Sequence, residues 1–411
     1  MNIVVVGAGI IGLTTAYYLR RDGHQVTVLE RNNSVGQETS YANGAQLSYN
    51  FVTPLAEPSV LTKLPFWLTD KNAPLHFKVR PDMNQWRWGL KFLSLCRTHV
   101  TQKYTLSLLK LALESRELYH ELMSKELLDC DFSSKGKLLI YSNEESLSAA
   151  ARQLQFQVTH GGDKYQQLSR EECLQLEPAL ISGQQTVFGG LFMSKEDSAD
   201  SYKFCQEMYL RLKNDVHFMF NTNVKKLNAS AGKITSLQTS AGELQFDAYV
   251  VANGVGAQSL LQRHQANPLV YPLKGYSLTY TLSQESEAPL CSVSDIANKV
   301  VYARLGNRLR VAGMVDVGDA SKDLNNHRID LLKKQVSSFF PNLRASADPV
   351  CWAGLRPARP SSSPLIKQGS LSNLWLNIGH GSLGFTLSTG SAKLLADRIA
   401  GRQTQFSGRE F

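Results

Sequence analysis

Three glycines and one carboxylate near the start of the chain are spaced to bind a dinucleotide. In Gly7-Ala8-Gly9-Ile10-Ile11-Gly12 the first glycine permits a tight turn, the second lets backbone approach a pyrophosphate, and the third lets a helix pack closely on a strand. Glu30 follows Gly12 by eighteen residues, where a carboxylate accepts hydrogen bonds from ribose hydroxyls. Near the other end, Gly379-His380-Gly381-Ser382-Leu383-Gly384 forms a second glycine-rich turn. A helix N-terminus behind such a turn stabilises negative charge on a ligand without any lysine.

These residues need particular elements to hold them. The β-branched run 2–6 reads as a strand buried on both faces, and apolar residues at three and four spacing over 10–21 read as a helix stopped by Gly23. Gln25 to Leu29 is the next strand, which makes the first glycines part of a strand-helix-strand unit. Around the second turn, 374–378 reads as a strand and 387–399 as a helix. Strands are also expected at 215–220 and 247–252, the latter ending at Asn253-Gly254, which is placed with the cofactor residues. Residues 85–125 are largely helical by pattern, while 277–282, 299–304 and 309–314 read as strands.

Composition bounds the partners. Lys and Arg outnumber Asp and Glu by 44 to 35 in 411 residues, but no basic run reaches five and no aromatic-basic RNA pattern appears, so no nucleic acid is expected. The six cysteines form no CxxC and have no histidine at ligand spacing, which suggests neither a disulfide framework nor a metal site and points to a reducing, cytoplasmic setting. A strand pattern begins at residue 2, so secretion is not expected, and no window is apolar enough to span a bilayer. Leu64 to Leu68 and Trp86-Arg87-Trp88 are aromatic enough for a peripheral contact on the inner face of a membrane, or for ordinary core packing.

The glycine fingerprint serves NAD and FAD alike, so other segments decide. After Glu30 and Arg31, the stretch 37–46 is rich in small and amide side chains suited to run beside an extended cofactor. The second glycine cradle would place a helix end at the N1/C2=O edge of a reduced flavin. No second GxGxxG is present for a nicotinamide, so the organic substrate itself must supply the electrons.

At this point a family resemblance enters. VVVGAGIIG with LER, ETSYANGAQ, GGLFMSKEDSAD, DAYVVANGVGAQS, YPLKGYSLT, RVAGM, WAGLRP and NLWLNIGHGSLGFTLSTGSAKLLAD together resemble the FAD-dependent D-amino acid dehydrogenases of the small-subunit type, within the glycine, sarcosine and D-amino acid oxidase superfamily. The resemblance covers essentially the whole chain. It implies an α/β fold: a Rossmann-like FAD domain from 1–60, 190–262 and 350–411, and an α+β substrate domain with a mixed sheet and helical cap from 61–189 and 263–349. It gives Glu30 the ribose contact, Ser40 and Asn43, Gly44, Ala45 and Gln46 the loop beside pyrophosphate and flavin, and Val224 a backbone contact with adenine. Gly381, Ser382, Leu383 and Gly384 take the flavin edge, with His380 at most a positioning group. One segment departs. Where the superfamily follows GLRP with Thr-Pro-Asp-Gly-x-Pro, this chain has Arg359-Pro360-Ser361-Ser362-Ser363-Pro364, so any role of that carboxylate is lost.

Arg356, in Trp352-Ala353-Gly354-Leu355-Arg356-Pro357, matches the carboxylate-binding arginine of the related amine oxidases, and a guanidinium suits a carboxylate because its donors form a fork. Lys274, Tyr276 and Tyr302 are weaker candidates on or beside strands expected to face the flavin. The resulting expectation is oxidative deamination of a small D-amino acid to a 2-oxo acid and ammonia, with hydride passing from Cα to flavin N5 and electrons leaving to a quinone or respiratory carrier. An oxygen-using oxidase of glycine, sarcosine or an imino acid, and a non-catalytic or RNA-associated FAD protein, are the rival readings.

Overall fold

Burial switches sides along the opening strand, Asn2–Val6, and the switch sets a parallel sheet between two layers. A computed structural model describes residues 1–262, 264, 268–283, 288–407 and 411. Ile3 and Val5 pack with the helices Ile10–Arg21, Ser201–Leu212 and Gly384–Ile399, whereas Val4 and Val6 pack with the small sheet 224–244 and the helix Ala257–Leu261. Both faces are therefore covered, as a β-branched parallel strand requires.

That sheet has six strands among the described residues, in the order Leu365–Gln368, Leu374–Ile378, Ala248–Val251, Asn2–Val6, Gln25–Leu29, His217–Met219. All neighbours are parallel except the antiparallel edge strand Leu365–Gln368. The carboxyl ends of the central strands carry Gly7, Glu30, Asn253 and Gly379, so both glycine turns open on one crevice.

A second, nine-stranded mixed sheet lies across that crevice. Its main path runs Val350–Ala358, Tyr271–Thr281, Arg308–Val317, Val300–Leu305, Ser292–Asp295, Lys137–Tyr141, Gly189–Met193, Gln166–Ser169, and Leu75–Phe77 pairs beside Arg308–Val317. The helix Asn326–Phe339 covers its far face. The helices Ser59–Thr69 and Met83–Leu95 flank it, whereas Thr98–Glu126 packs on Gly384–Ile399 in the core of the first sheet's half, so the helical stretch expected at 85–125 is two helices broken at Cys96-Arg97. Gly189–Met193 and Val350–Ala358 belong to this second sheet, so the segment limits set at 190 and 350 do not coincide with a change of sheet; the limit at 263 lies outside the described residues. The six cysteines carry no disulfide.

Candidate functional site

Between the two sheets lies a cavity of about 940 Å³. At one end are Val6, Gly7, Gly9, Ile10 and Ile11, then Glu30, Arg31 and Val224. Gly7 has φ +107°, a conformation L side chains rarely adopt, and a methyl group there would lie 2.9 Å from the Ala252 carbonyl oxygen. Gly12 stands behind the wall rather than in it. A Cβ at this position would lie 2.9 Å from the Gly7 carbonyl carbon and nearer still to its oxygen, so Gly12 sets how closely helix meets strand.

The turn is tied down by two side chains. Glu30 Oε2 accepts the Ala8 amide at 2.8 Å, and Oε1 accepts both the amide and the side-chain Nδ2 of Asn32 at 2.9 Å. A carboxylate has about four acceptor sites, so capacity remains for a ligand hydroxyl. Ser40 Oγ accepts the Ile10 amide at 3.1 Å, which caps the first amide of the helix with a side chain instead of leaving it for a phosphate. Arg31, on the rim, pairs with Glu38 at 2.6 Å.

The middle of the wall comes from Ser40, Asn43, Gly44 and Gln46, with Asn253 and Gly254 beyond. Asn43 Oδ1 accepts the Ala45 amide at 2.8 Å. Ala45 itself, at φ +58°, points out of the cavity into a small cluster with Ala303 and Leu305. Gln46 Nε2 donates to Ser292 Oγ at 2.5 Å and Ser294 Oγ at 3.1 Å, spanning the gap to the second sheet. Gly379, His380, Gly381, Ser382, Leu383 and Gly384 close the same wall, and the helix starts at Gly384 rather than at 387.

Three buried polar atoms on this wall have no partner among the described residues: Asn253 Oδ1, Asn377 Oδ1 and His380 Nε2. Buried orphans of this kind are costly unless something meets them. Together with the glycine turn whose backbone is bare at Gly9, they fit an elongated polar cofactor with an adenosine at the Glu30 end and a ring system at the Gly379 end. Burial drives the His380 pKa down to about 3, so its imidazole is neutral.

The second sheet supplies the opposite wall. Leu273 pairs with Arg356, and Gly275 with Gly354. The Arg356 guanidinium lies flat on Gly275 and donates from Nη1 to the Met314 carbonyl at 3.3 Å. No acid pairs with it among the described residues, and burial lowers its pKa to about 10. The part of its surface left open faces the cavity.

The other three residues expected here fare differently. Tyr276 reaches the wall at a β-bulge, but its hydroxyl donates to Asp316 Oδ2 at 2.7 Å behind the sheet. Lys274 is absent from the wall: its ammonium donates to Asp319 at 2.8 Å and Ser321 at 3.1 Å, because strand alternation turns it away when Leu273 and Gly275 face in. Tyr302 is also absent. Its ring is buried against Phe339 and Phe340, each at 5.2 Å between centroids, on the far face.

The serine-rich departure forms a tight turn. Ser362, at φ +58°, accepts the Leu55 amide on Oγ at 3.0 Å, and Arg359 Nη1 donates to the Ser363 carbonyl at 2.6 Å. The Arg359 side chain packs on Gly379, so an arginine supports the glycine turn here.

Sequence reading missed Lys137, Gly275, Arg359 and the pair Trp88 and Phe92, all on the wall. For Gly275 a signal existed, since glycine inside a strand marks a close approach. For Lys137 it was a lysine opening an otherwise apolar strand.

One family model, described as FAD dependent oxidoreductase (DAO), matches residues 2–398. The chain belongs to the DAO family. Its cofactor is therefore FAD, and the site residues above fit that cofactor. A curated relative, the D-amino acid dehydrogenase 2 of Ralstonia nicotianae, is 41% identical over 98% of this chain and 97% of that protein. The D-amino acid dehydrogenase of Vibrio vulnificus (strain YJ016) is 36% identical, again over 98% and 97%. Among solved structures, glycine oxidase from Geobacillus kaustophilus superposes with a TM-score of 0.77 at 20% identity, covering 98% of this chain and 96% of that one. L-proline dehydrogenase from P. horikoshii gives 0.77 at 16%, covering 99% and 95%. These likenesses support the DAO fold, an α/β cofactor half with a mixed substrate sheet.

Proposed function

We propose that this DAO-family enzyme oxidises the α-amine of a D-amino acid, giving a 2-oxo acid and ammonia, and passes the electrons to a quinone-type membrane carrier. The observation that carries the reading is Arg356, a buried guanidinium facing the cavity with no acid partner. A buried cation without a partner is costly, and an α-carboxylate meets it through two parallel hydrogen bonds. The D hand comes from the names of the relatives.

FAD, when bound, supplies the two-electron acceptor for the hydrogen leaving Cα. Arg356 fixes the carboxylate, and Gly275 lets the guanidinium lie against the sheet so that Cα faces the opposite wall. Neutral His380 is no base, so the substrate amine gives up its proton to solvent on binding and the wall's task is orientation. Toward the cofactor, Glu30 takes the ribose, Val224 the adenine, Gly7, Gly9 and Ile11 the diphosphate with Ser40 holding the Ile10 amide beside it, and 43–46 with 379–384 the flavin. Anaerobic mixing of the yellow protein with paired D- and L-amino acids tests this. Bleaching by D forms supports the reading, and bleaching by none of a broad panel ends it.

A surface beside the cavity supports the carrier. Met83, Trp86, Leu90 and Leu93 are exposed at spacings that put them on one face of Met83–Leu95, while Trp88 and Phe92 on the other face line the cavity. Leu61 and Leu68 are exposed on the neighbouring helix Ser59–Thr69. Lys63, Lys71, Lys78, Arg80, Arg87, Lys91 and Arg97 accompany them against Asp70 and Asp82, a combination that suits an anionic bilayer surface. No helix among the described residues is long and apolar enough to cross a membrane.

A further inference from the structure

One cation on the cavity wall is left over by the reaction as described. Lys137 opens the strand Lys137–Tyr141 and is only 3% exposed, whereas Lys225 and Lys299, also on the wall, reach solvent. Its ammonium donates to Ser48 Oγ at 2.6 Å and lies 4.9 Å from the centre of the Phe51 ring, and both of those residues are on the wall.

A buried ammonium has three donors and needs a counter-charge. Lys137 forms no ion pair among the described residues. Glu196, whose field acts on it, is engaged elsewhere: it accepts the Tyr49 amide at 2.8 Å on Oε2 and the Asn50 amide at 2.7 Å on Oε1. Asp295, on the wall, accepts from the Ala297 amide and from Asn298. Burial lowers the Lys137 pKa to about 8, with Glu196 opposing, so the group is still a cation at neutral pH.

Two sets of contacts put this charge beside residues given above to the flavin. Ser48, which accepts from the ammonium, donates its own amide to Thr386 Oγ1 at 3.0 Å, in the first turn of the helix Gly384–Ile399. Lys137 is also level with Ser292 on the adjoining strand, whose hydroxyl accepts Gln46 Nε2 at 2.5 Å. Gln46, Ser48 and Thr386 all line the cavity, so the ammonium and the amino end of the helix bear on one corner of it.

The charge balance of the reaction gives that corner a task. Oxidation of the amine takes a hydride, two electrons and one proton, from Cα, and water converts the iminium left behind to the 2-oxo acid and ammonia. The ring end of the cavity, uncharged while the flavin is oxidised, thereby gains one negative charge. Arg356 is matched by the α-carboxylate, and a helix end offers only about half a unit charge. A full positive charge fixed in a buried wall favours the anionic ring over the neutral one, and this is how a protein group tunes a cofactor's potential.

We infer that the Lys137 ammonium neutralises the negative charge that the flavin ring gains on reduction, which raises the potential at which this enzyme accepts electrons. This rests on the flavin placement and the deamination reading above.

Reductive titration of the FAD-loaded enzyme against reference dyes, with no amino acid present, measures the two-electron midpoint potential. Lys137→Met should weaken reduction about 10- to 100-fold, a fall of about 30 to 60 mV at roughly 30 mV per tenfold. Lys137→Gln, which can still hydrogen-bond Ser48 but carries no charge, should give the same fall, and Lys137→Arg should keep most of the parent value. Retention of oxidised FAD should stay normal in all three, because the oxidised ring has no charge to meet. A parent-like potential in both uncharged variants overturns the inference, and so does a loss of oxidised FAD with no change of potential in the flavin that remains. Bleaching by D-amino acids is scored separately. A shifted potential without bleaching ends the deamination reading alone, and bleaching with an unmoved potential ends this inference alone.

Discussion

The guanidinium of Arg356 rests on the bare backbone of Gly275: a Cβ at that glycine would lie 2.5 Å from Nη2 and closer still to Cζ and Nη1. Gly275→Ala therefore displaces the arginine without touching its charge. Misplacement of about 1 Å costs on the order of 100-fold, so kcat/KM should fall by about that factor with flavin content intact. Steady-state kinetics with an absorbance check of bound FAD measure both, and near-normal turnover would show that Arg356 does not hold the substrate.

Glu30 already holds the Ala8 amide and Asn32, so its neutral analogue weakens two functions together. Glu30→Gln should lower FAD affinity by about 10-fold or more, measured by dialysis and refilling of the apoprotein. Full retention of flavin through dialysis would remove Glu30 from the cofactor site.

His380 carries no charge across the physiological range, since burial has moved its pKa down to about 3. Nitrogen-15 NMR of histidine-labelled protein should find no protonation of this ring between pH 5 and 8. A titration in that window would restore it as an acid or base.

Lys137 yields an expectation for stability. Its folded pKa of about 8 lies below the ordinary 10.5 because burial disfavours the charged form. The same depression means the folded state bears the full cost of the buried charge below pH 8 and none above the ordinary lysine value. Lys137→Met should then stabilise the fold by about 1 kcal/mol or more at pH 7, read by thermal unfolding. A less stable variant would show that Lys137 is a structural cation.

The exposed face of Met83–Leu95 gives a surface prediction. Replacing Trp86 and Leu90, which are 51% and 66% exposed, by Asp should abolish co-flotation with anionic liposomes and slow reduction of a lipid quinone while leaving a soluble dye acceptor unaffected. Equal flotation of parent and variant would assign the patch to another partner.

How much of this was legible in residues alone follows from the range of the forces involved. The opening strand, helix and second strand were readable to the residue, because β-branched runs, periodicity and a glycine stop are local signals. So was 374–378. The helix after it was placed late, because Gly381 to Gly384 read as a turn while backbone hydrogen bonding takes Gly384 into the helix. Three of the nine substrate strands were expected, the first beginning at Tyr271 rather than 277, but their facing was not: Lys274 looked like a pocket residue until register and a bulge settled which side it takes. Tyr302 was misplaced for the same reason. Lys137 needed the cavity itself, since a lysine ahead of Leu-Leu-Ile-Tyr does not say which wall its ammonium reaches.

The strand Asn2–Val6 sits between partners made far apart in time. Its amide at Asn2 is held by Asp247, 245 residues on, and Thr14 of the following helix donates to Ser388, 374 residues on. A nascent chain leaving the ribosome thus carries half a nucleotide cradle that stays open until almost the whole polypeptide has emerged. Such long-range closure is slow and leaves apolar strand edges unprotected meanwhile, so supply of the vitamin-derived ligand at the moment of release should govern the yield of folded protein.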